Sequence, residues 1–334
     1  MTKRSLYILC FVVANLLMPL SVAAQLKIPL LNKLDSMLEE RQKNPKTDNN
    51  YVVRPHNRFT LRLINNLSGT NFTMKINTGD DRVNLRFKDP LRYTVTFSVN
   101  YRGLAVALAV NPASVFGKHS STEFNINAYS NRYGIDVIYE KNGNFESTAK
   151  VDGEVVTFDD EISEKSLTIN AYYAFNGRKF SYPAAFSQSF IQKRSAGSIM
   201  LGGSFHHNTV SIINQDDDYY MEDNVRKLKL NYLSLGVGYG YNFVPTRNWL
   251  LHLSALPSLV VWRENKVIMM GHFEELPATF PEMSIVARGS IVRYFKHFFL
   301  GANMVYNYTS AGDYESIRVR HYKWRARFII GKRF

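Results

Sequence analysis

The chain has 334 residues and a formal net charge of +13, and 45% of its residues are hydrophobic. It contains one cysteine, which excludes an intramolecular disulfide as a source of stability. A basic chain can bind nucleic acid, but the export signal described next argues against that partner and favours anionic lipid or an anionic solute.

The N-terminus has the features of a secretory signal peptide. Lys3 and Arg4 precede an apolar stretch at 6–20, and small residues follow that permit cleavage after Ala24. The apolar stretch is shorter than the ~20 residues that a membrane-spanning helix requires. We therefore expect export with loss of residues 1–24. Because Cys10 is lost with them, we expect no thiol chemistry of the mature chain.

Residues 25–50 are predicted to form an amphipathic helix followed by a polar linker. Four apolar residues recur at helical spacing within 26–41, and 44–50 is polar. The four are Ile28, Leu31, Leu34 and Leu38. One interpretation is a periplasmic helix that plugs a barrel or contacts a periplasmic partner. The other is a short helix that rests on a barrel rim.

The remainder, 51–334, is dominated by segments of about ten residues in which apolar and polar side chains alternate. Period-two alternation places neighbouring side chains on opposite faces of a strand. The clearest segments are 92–100, 132–141, 231–242 and 318–332. Further strands are predicted near 70–77, 103–110, 121–129, 166–175, 196–206, 248–262, 284–296 and 298–308. The total is about 12 strands, or about 14 if 58–66 and 82–88 both join.

This pattern predicts an all-β fold: a closed antiparallel transmembrane β-barrel with a short N-terminal helix. With the C-terminus in the periplasm, most periplasmic connections are short and most outer ones are long, as expected of bacterial outer-membrane barrels. The connection at 176–195 is long on the periplasmic side, so we expect an extra element or an inward-folded segment there. The alternative is a soluble secreted β-barrel that binds a ligand, since its strands would also alternate.

The last residue, Phe334, shares a strand face with Trp324, Phe328 and Ile330. An aromatic terminus on an alternating apolar strand is similar to the signal read by the barrel assembly machinery, although Lys332 departs from that pattern. We therefore predict that Phe334 is an assembly signal and that the barrel is inserted into outer-membrane lipid.

Two sets of motifs resemble a known family. They are Tyr101-Arg102-Gly103-Leu104 with Asn111-Pro112, and Tyr182-Pro183-Ala184-Ala185-Phe186-Ser187-Gln188-Ser189 with Gln192 and Ser195-Ala196-Gly197-Ser198. From about residue 50 to its end, the chain resembles an uncharacterised outer-membrane barrel family of Bacteroidota, domain of unknown function 4421. The resemblance implies an outer-membrane location and supplies no catalytic residue to transfer.

The strand phase places a set of charged residues in the lumen. They are Arg58, Arg62, Glu123, Asp136, Glu140, Arg288, Lys323, Arg325 and Arg327. Rings of Arg and Lys favour anions, so one interpretation is an anion-selective pathway. The other is a closed network in which opposite charges pair across the interior. We favour the network, because a barrel of about 12 strands has a narrow lumen.

His252 and Ser254 share one face of a strand and Glu264 follows, and these are residue types that perform acyl chemistry. The sequence shows no third group that orients a base. It also has no phosphate-binding glycine loop, CxxC or HExxH motif, so we expect no cofactor and no metal. The carboxylates at 216–218, 222 and 223 are interpreted as a solvated outer loop rather than a calcium site.

The sequence therefore predicts a non-enzymatic outer-membrane β-barrel with a narrow polar lumen, serving as a structural or binding barrel or as a small-solute channel. A lipid-modifying barrel enzyme of the acyl hydrolase type is the first alternative. A soluble secreted binding protein is the second.

Overall fold

The structure is a computed structural model. It describes residues 46–55, 57, 59–78, 81–88, 91–101, 104–111, 122–143, 146–151, 154–158, 161–213, 227–268, 273–275, 282–313 and 317–334, together with Ser36 and Glu40. The predicted signal peptide and the acidic loop lie outside the described residues. The same holds for the predicted helix at 26–41, except that Ser36 and Glu40 are helical.

The described residues form a β-structure with one short helix. The strands are β1 (Val52–Val53), β2 (Phe59–Thr78), β3 (Asp81–Lys88), β4 (Arg92–Tyr101), β5 (Leu104–Val110), β6 (Thr122–Tyr129), β7 (Tyr133–Gly143), β8 (Glu146–Val151), β9 (Glu154–Phe158), β10 (Glu161–Ala174), β11 (Ile191–Gln192), β12 (Ala196–Ile213), β13 (Lys227–Phe243), β14 (Trp249–Ile268), β15 (Phe273–Glu275), β16 (Met283–Tyr294), β17 (Phe298–Gly312) and β18 (Ile317–Arg333). The helix α1 spans Tyr182–Phe186. No helix in this part of the chain is long and apolar enough to cross a membrane.

Twelve of these strands form one curled antiparallel sheet. Its order is β6-β7-β10-β12-β13-β14-β16-β17-β18-β2-β4-β5. The prediction of an all-β antiparallel fold with about 12 strands is confirmed. The two edges, β5 and β6, follow each other in the chain, and the ladders of the described residues do not join them.

The sequence predicts a strand near 70–77 and leaves open whether 58–66 and 82–88 join the barrel. The first two segments are one strand, β2, which is 20 residues long. Its first half pairs with β4, and its second half pairs with β3. β3 then pairs with β8, and β8 with β9, so 82–88 belongs to an extension beside the curled sheet. β4 begins opposite Ser68, and β3 satisfies the backbone groups of β2 beyond that point.

Strand pairing also extends further than the sequence predicts. β17 and β18 remain paired as far as Gly312 and Arg318, within the predicted loop at 309–317. Gly312, the last residue of β17, has a φ of +88°, a backbone conformation that favours glycine. β2 and β14, at 20 residues each, are about twice the length that crosses a bilayer.

The two faces of the curled sheet differ in polarity. On β13, Leu235, Val237 and Tyr239 are exposed on the convex face, with Val237 60% exposed. On β14, Leu253 is 72% exposed, whereas its neighbour Ser254 is buried on the concave face. The buried polar residues include Ser, Thr and Asn side chains from most of the twelve strands. This arrangement is the reverse of a water-soluble sheet, whose apolar face is buried.

Residues 176–195, here called the inner segment, connect β10 to β12 and pack against the concave face. The segment contains α1 and β11, and all five residues of α1 are buried. Phe180, Tyr182 and Phe190 join a cluster with Leu250, Val292 and other residues of the sheet. The long connection therefore folds inward, as the sequence allowed.

Candidate functional site

The inner segment is shaped by local sequence. Ser181 caps the N-terminus of α1, since its Oγ accepts a hydrogen bond from the backbone N–H of Ala184 (3.3 Å). Pro183 occupies the first turn, where its missing N–H costs no hydrogen bond. β11 pairs with β1, so the residues that precede the sheet cross beneath the segment. In this way the N-terminal strand and the inner segment hold one another in place.

Side chains of the sheet satisfy the backbone carbonyls of the inner segment. The donors include charged, hydroxyl and amide groups from four strands, which lie on several sides of the segment. They are Arg62 Nη1 to Ser187 O (2.9 Å), Arg333 Nη2 to Gln188 O (2.9 Å), Tyr294 OH to Ala184 O (3.1 Å), Ser290 Oγ to Ala185 O (2.7 Å) and Asn242 Nδ2 to Ser181 O (2.9 Å). Buried carbonyls need such partners, so the segment is fitted to this interior.

Above the inner segment, a buried ion pair joins opposite walls. Arg288 on β16 donates from Nη2 to Asp136 Oδ2 on β7 (2.7 Å) and from Nη1 to the hydroxyl of Tyr182 (2.9 Å). Asp136 also accepts a hydrogen bond from the hydroxyl of Tyr129. The pair therefore connects the two walls to α1 through a single guanidinium.

Further along the interior, Glu140 is the centre of a second ionic cluster. Its carboxylate is fully buried and pairs with Lys323 on β18. The same carboxylate lies 3.5 Å from Arg325 and 3.7 Å from Arg92 on β4. One carboxylate thus compensates part of the charge of three cations from two other strands.

The two ionic groups line one cavity, here called the central cavity, with a volume of about 30 Å³. This volume has room for about two water molecules. The remaining lining is largely polar and includes Thr70, Asn127, Asn170 and Asn307. The cavity therefore has room for a small polar species.

At the other end of the interior, apolar side chains meet across the sheet. Phe72 and Met74 of β2 and Val319 of β18 belong to one cluster with Leu228 and Leu230 of β13. These strands lie on different sides of the curled sheet. The cluster places apolar side chains across this end of the interior, and apolar constrictions oppose the passage of water and ions.

His252 is the middle residue of a hydrogen-bonded series of three polar side chains. Its Nδ1 is 2.7 Å from Asn242 Oδ1, and its Nε2 is 3.0 Å from Ser254 Oγ. Because the amide oxygen accepts, Nδ1 carries the proton and Nε2 can accept from the hydroxyl. The rings of Tyr182 and Phe186 cover the imidazole at centroid distances of 5.1 Å each.

Seven of the nine residues predicted to face the lumen lie among the described side chains. The structure places them on the concave face: Arg62, Asp136, Glu140, Arg288, Lys323, Arg325 and Arg327. Arg58 lies outside the described residues, as does the side chain of Glu123, whose backbone pairs with that of Glu140. Phe334 is exposed and donates its N–H to Phe59 O (3.0 Å), at the start of β2.

The structure does not bring Glu264 to His252. Glu264 lies near the far end of β14, is exposed, and pairs with Lys266 at 2.7 Å. The orienting partner of His252 is instead Asn242, which faces it directly in the β13–β14 hairpin. Sequence analysis missed Asn242, Tyr182 and Arg92. The hairpin register could have identified Asn242, since the connection at 244–248 is short.

Comparison with known proteins gives a family and a set of distant folds. Residues 46–334 match the model of a family described as a domain of unknown function, DUF4421. No relative was found among curated protein sequences.

Among solved structures, the chain is similar to the outer membrane protease OmpT from Escherichia coli at 7% identity and a TM-score of 0.41, covering 83% of this chain and 97% of that one. It is also similar to the translocator domain of the autotransporter NalP from Neisseria meningitidis at 11% identity and a TM-score of 0.33, covering 93% and 100%. A third is the outer membrane protein OprG from Pseudomonas aeruginosa, at 10% identity and a TM-score of 0.28, covering 84% and 97%. The function has to be inferred from the residues of this chain.

Proposed function

The chain belongs to the DUF4421 family, a domain of unknown function, and from that premise we propose that it is a non-enzymatic outer-membrane β-barrel whose interior is closed by its own inner segment. Its role is structural or binding rather than conductive. The observation that carries the proposal is the inward fold of residues 176–195, with carbonyls bound by side chains from four strands.

The two faces of the sheet support membrane insertion. An exposed convex face with Leu253, Val237 and Phe328 is costly in water and stabilising in lipid. The concave face is polar, as the inner face of a transmembrane barrel is. A soluble binding barrel would require the opposite distribution, so the polarity of the faces disfavours that alternative.

The ionic contacts support closure into a barrel. Arg92 lies on β4, next to the edge strand β5, and Glu140 lies on β7, next to the other edge strand β6. These side chains approach to 3.7 Å, so the regions beside the two edges face each other at close range. Pairing of β5 with β6 would complete a twelve-stranded antiparallel barrel, an even number as expected for single-chain bacterial barrels.

The test is conductance of the purified, folded full-length protein in a planar bilayer. We expect no channel openings, because the inner segment fills one end of the interior and the apolar cluster around Phe72 closes the other. Envelope fractionation with a heat-modifiability gel should show the folded protein in the outer membrane. Steady single-channel openings would contradict the closed interior, and recovery as a soluble protein would contradict the barrel itself.

A second candidate function is acyl hydrolysis by Ser254, favoured by the Asn242–His252–Ser254 geometry. The hydroxyl oxygen would attack an ester carbonyl while His252 Nε2 takes its proton and then protonates the departing alcohol. Water would release the acyl group by the same route. We favour the non-enzymatic function because Ser254 is only 4% exposed and lies beneath the rings of the inner segment.

The two functions are separated by a fluorophosphonate probe, which reacts with activated serines. Incubated with the full-length protein, the probe should leave no label at Ser254 if Asn242, His252 and Ser254 serve only to hold the inner segment. Labelling that disappears in Ser254→Ala and in His252→Ala, and persists in Ser258→Ala, would instead establish the hydrolase. Ser258 is the matched control because it is also buried on β14.

A further inference from the structure

The convex face carries a lysine beyond its apolar residues on each of β7, β10, β13 and β14. The four are Lys141, Lys165, Lys229 and Lys266. The ladders align them, because Lys141 pairs with Lys165 and Lys229 with Lys266, while Thr209 of β12 lies between the two pairs. Directly paired residues share a face of the sheet. Glu164 and Ser166, which flank Lys165 in β10, are buried on the concave face. The four lysines therefore form one row, here called the lysine stripe, on the outside of the curled sheet.

The lysine stripe begins where the apolar part of the convex face ends. On β7 and β10, the lysine comes one convex position beyond Tyr139 or Leu167, which pair with each other. On β13, the apolar run extends from Phe243 to Leu233, and Lys229 lies beyond it. At about 3.3 Å per residue and a strand tilt of about 40°, this run is about 25 Å tall, the height of the apolar band of an outer-membrane barrel. The stripe thus lies in the head-group region, at the end of the barrel opposite the C-terminus.

The pairing of Lys141 with Lys165 places like charges directly opposite each other, and both side chains are exposed. Such a pair destabilises a sheet. Its neighbours on the same face, where the structure describes their side chains, are uncharged: Tyr139, Gly143, Ser163, Leu167 and Thr209. The other pair differs, since Glu264 contacts Lys266 at 2.7 Å. A phosphate between Lys141 and Lys165 would offset their repulsion.

We propose that Lys141 and Lys165 bind the phosphate head group of an anionic lipid in the outer leaflet. The two ammonium groups contact one phosphate, while the acyl chains lie along exposed apolar side chains of the same face, such as Tyr139 and Ile135. Lysine suits this position because its apolar stem lies along the sheet while its ammonium group reaches the head groups. The inference rests on the membrane insertion proposed above and is independent of the closed interior.

The first test measures the acetylation rates of individual lysines in the unaltered full-length protein. The folded protein is placed in nanodiscs of phosphatidylcholine, or of phosphatidylcholine and phosphatidic acid in equal parts, and treated with sulfo-N-hydroxysuccinimide acetate. Lys141 and Lys165 should each react about fivefold more slowly with phosphatidic acid, the factor that corresponds to one lysine at an anionic surface. Lys179, an exposed residue of the inner segment, should react equally fast in both. Inorganic phosphate should not reproduce the protection, because it has no acyl chains.

The second test compares two double variants. Native mass spectrometry of the folded protein in detergent gives the Kd of phosphatidic acid, which should rise about 30-fold in Lys141→Gln/Lys165→Gln. Lys179→Gln/Lys193→Gln, which removes two exposed lysines of the inner segment, should leave this Kd unchanged.

Equal Kd values in the two double variants would overturn the lipid site. So would acetylation of Lys141 and Lys165 at the same rate in both nanodiscs, the result expected if carboxylates of this chain neutralise the pair. Protection by inorganic phosphate alone would overturn the lipid as the source of the phosphate. Recovery of the chain as a soluble protein would contradict the barrel itself, whereas an outer-membrane protein with unprotected lysines would overturn the lipid site alone.

Discussion

Replacing Glu140 with glutamine is expected to lower the free energy of unfolding by about 3–5 kcal/mol. The substitution preserves the size of the side chain and removes the negative charge on which Lys323, Arg325 and Arg92 converge. Because Glu140 is fully buried, its loss leaves these cations beside a cavity that has room for only about two water molecules, which solvate them less well than bulk water does. The measurement is a urea titration of the folded protein. At each urea concentration, a heat-modifiability gel gives the fraction of protein that is still folded.

Glu264→Gln is the matched control for that experiment. It makes the same chemical change at a carboxylate that is exposed and pairs with Lys266. Its unfolding midpoint should coincide with that of the unaltered protein, because an exposed pair is weak and screened by salt. If Glu140→Gln and Glu264→Gln had equal midpoints, the interior around Glu140 would be solvated and the closed network would be wrong.

Which side chains of a strand share a face could be predicted, because side chains alternate strictly between the two faces of a strand. On β18, Lys323 and Arg325 alternate with Trp324 and Phe328, and a shift of one residue would place these charges on the apolar face. The same period placed Asp136 and Glu140 on one face of β7. Such assignments depend only on neighbouring residues, so the amino-acid sequence alone is enough to make them.

The continuity of β2 depends on distant residues and could not be predicted. The stretch that joins 58–66 to 70–77 contains Asn65, Asn66, Ser68 and Gly69, residue types that are common in turns. In the structure, Gly69 lies beside the indole of Trp324 on β18, and a Cβ at Gly69 would lie 3.0 Å from Trp324 Nε1. Glycine here makes room for a neighbouring side chain instead of ending a strand.

The side-chain contacts across the interior also could not be predicted from local sequence patterns. The length of the connection at 176–195 indicated an unusual element, but its inward direction is determined by partners such as Arg62 on β2 and Tyr294 on β16. The pairing of Arg288 with Asp136 joins residues that are 152 positions apart in the chain. Only the curl of the sheet brings such residues together.

Tyr182→Ala is expected to release the inner segment from the interior. The ring of Tyr182 packs against Tyr172 at 4.5 Å and Phe186 at 4.7 Å between centroids, and its hydroxyl accepts from Arg288. Removing a buried aromatic side chain costs about 3–5 kcal/mol. If that loss falls on the docking of the inner segment rather than on the whole sheet, it should raise the population of the segment's open state by a factor of at least about 100.

Opening can be measured with a cysteine placed beneath the segment. Ser254→Cys in a Cys10→Ser background provides one buried thiol in a chain with no other cysteine. A membrane-impermeant maleimide should react with Cys10→Ser/Ser254→Cys very slowly, and about 100-fold faster once Tyr182→Ala is added. Tyr182→Phe, which keeps the ring, should react at an intermediate rate.

Tyr239→Ala is the matched control, because it removes a tyrosine from the exposed convex face of β13. It should leave the labelling rate unchanged, since no part of the inner segment rests on that side chain. Equal rates for Tyr182→Ala and Tyr239→Ala would mean that Tyr182 does not hold the segment. Fast labelling before any tyrosine is changed would mean that the interior is open already, and the closed barrel would have to be abandoned. Slow labelling that Tyr182→Ala accelerates would identify α1 as the element on which closure of the interior depends.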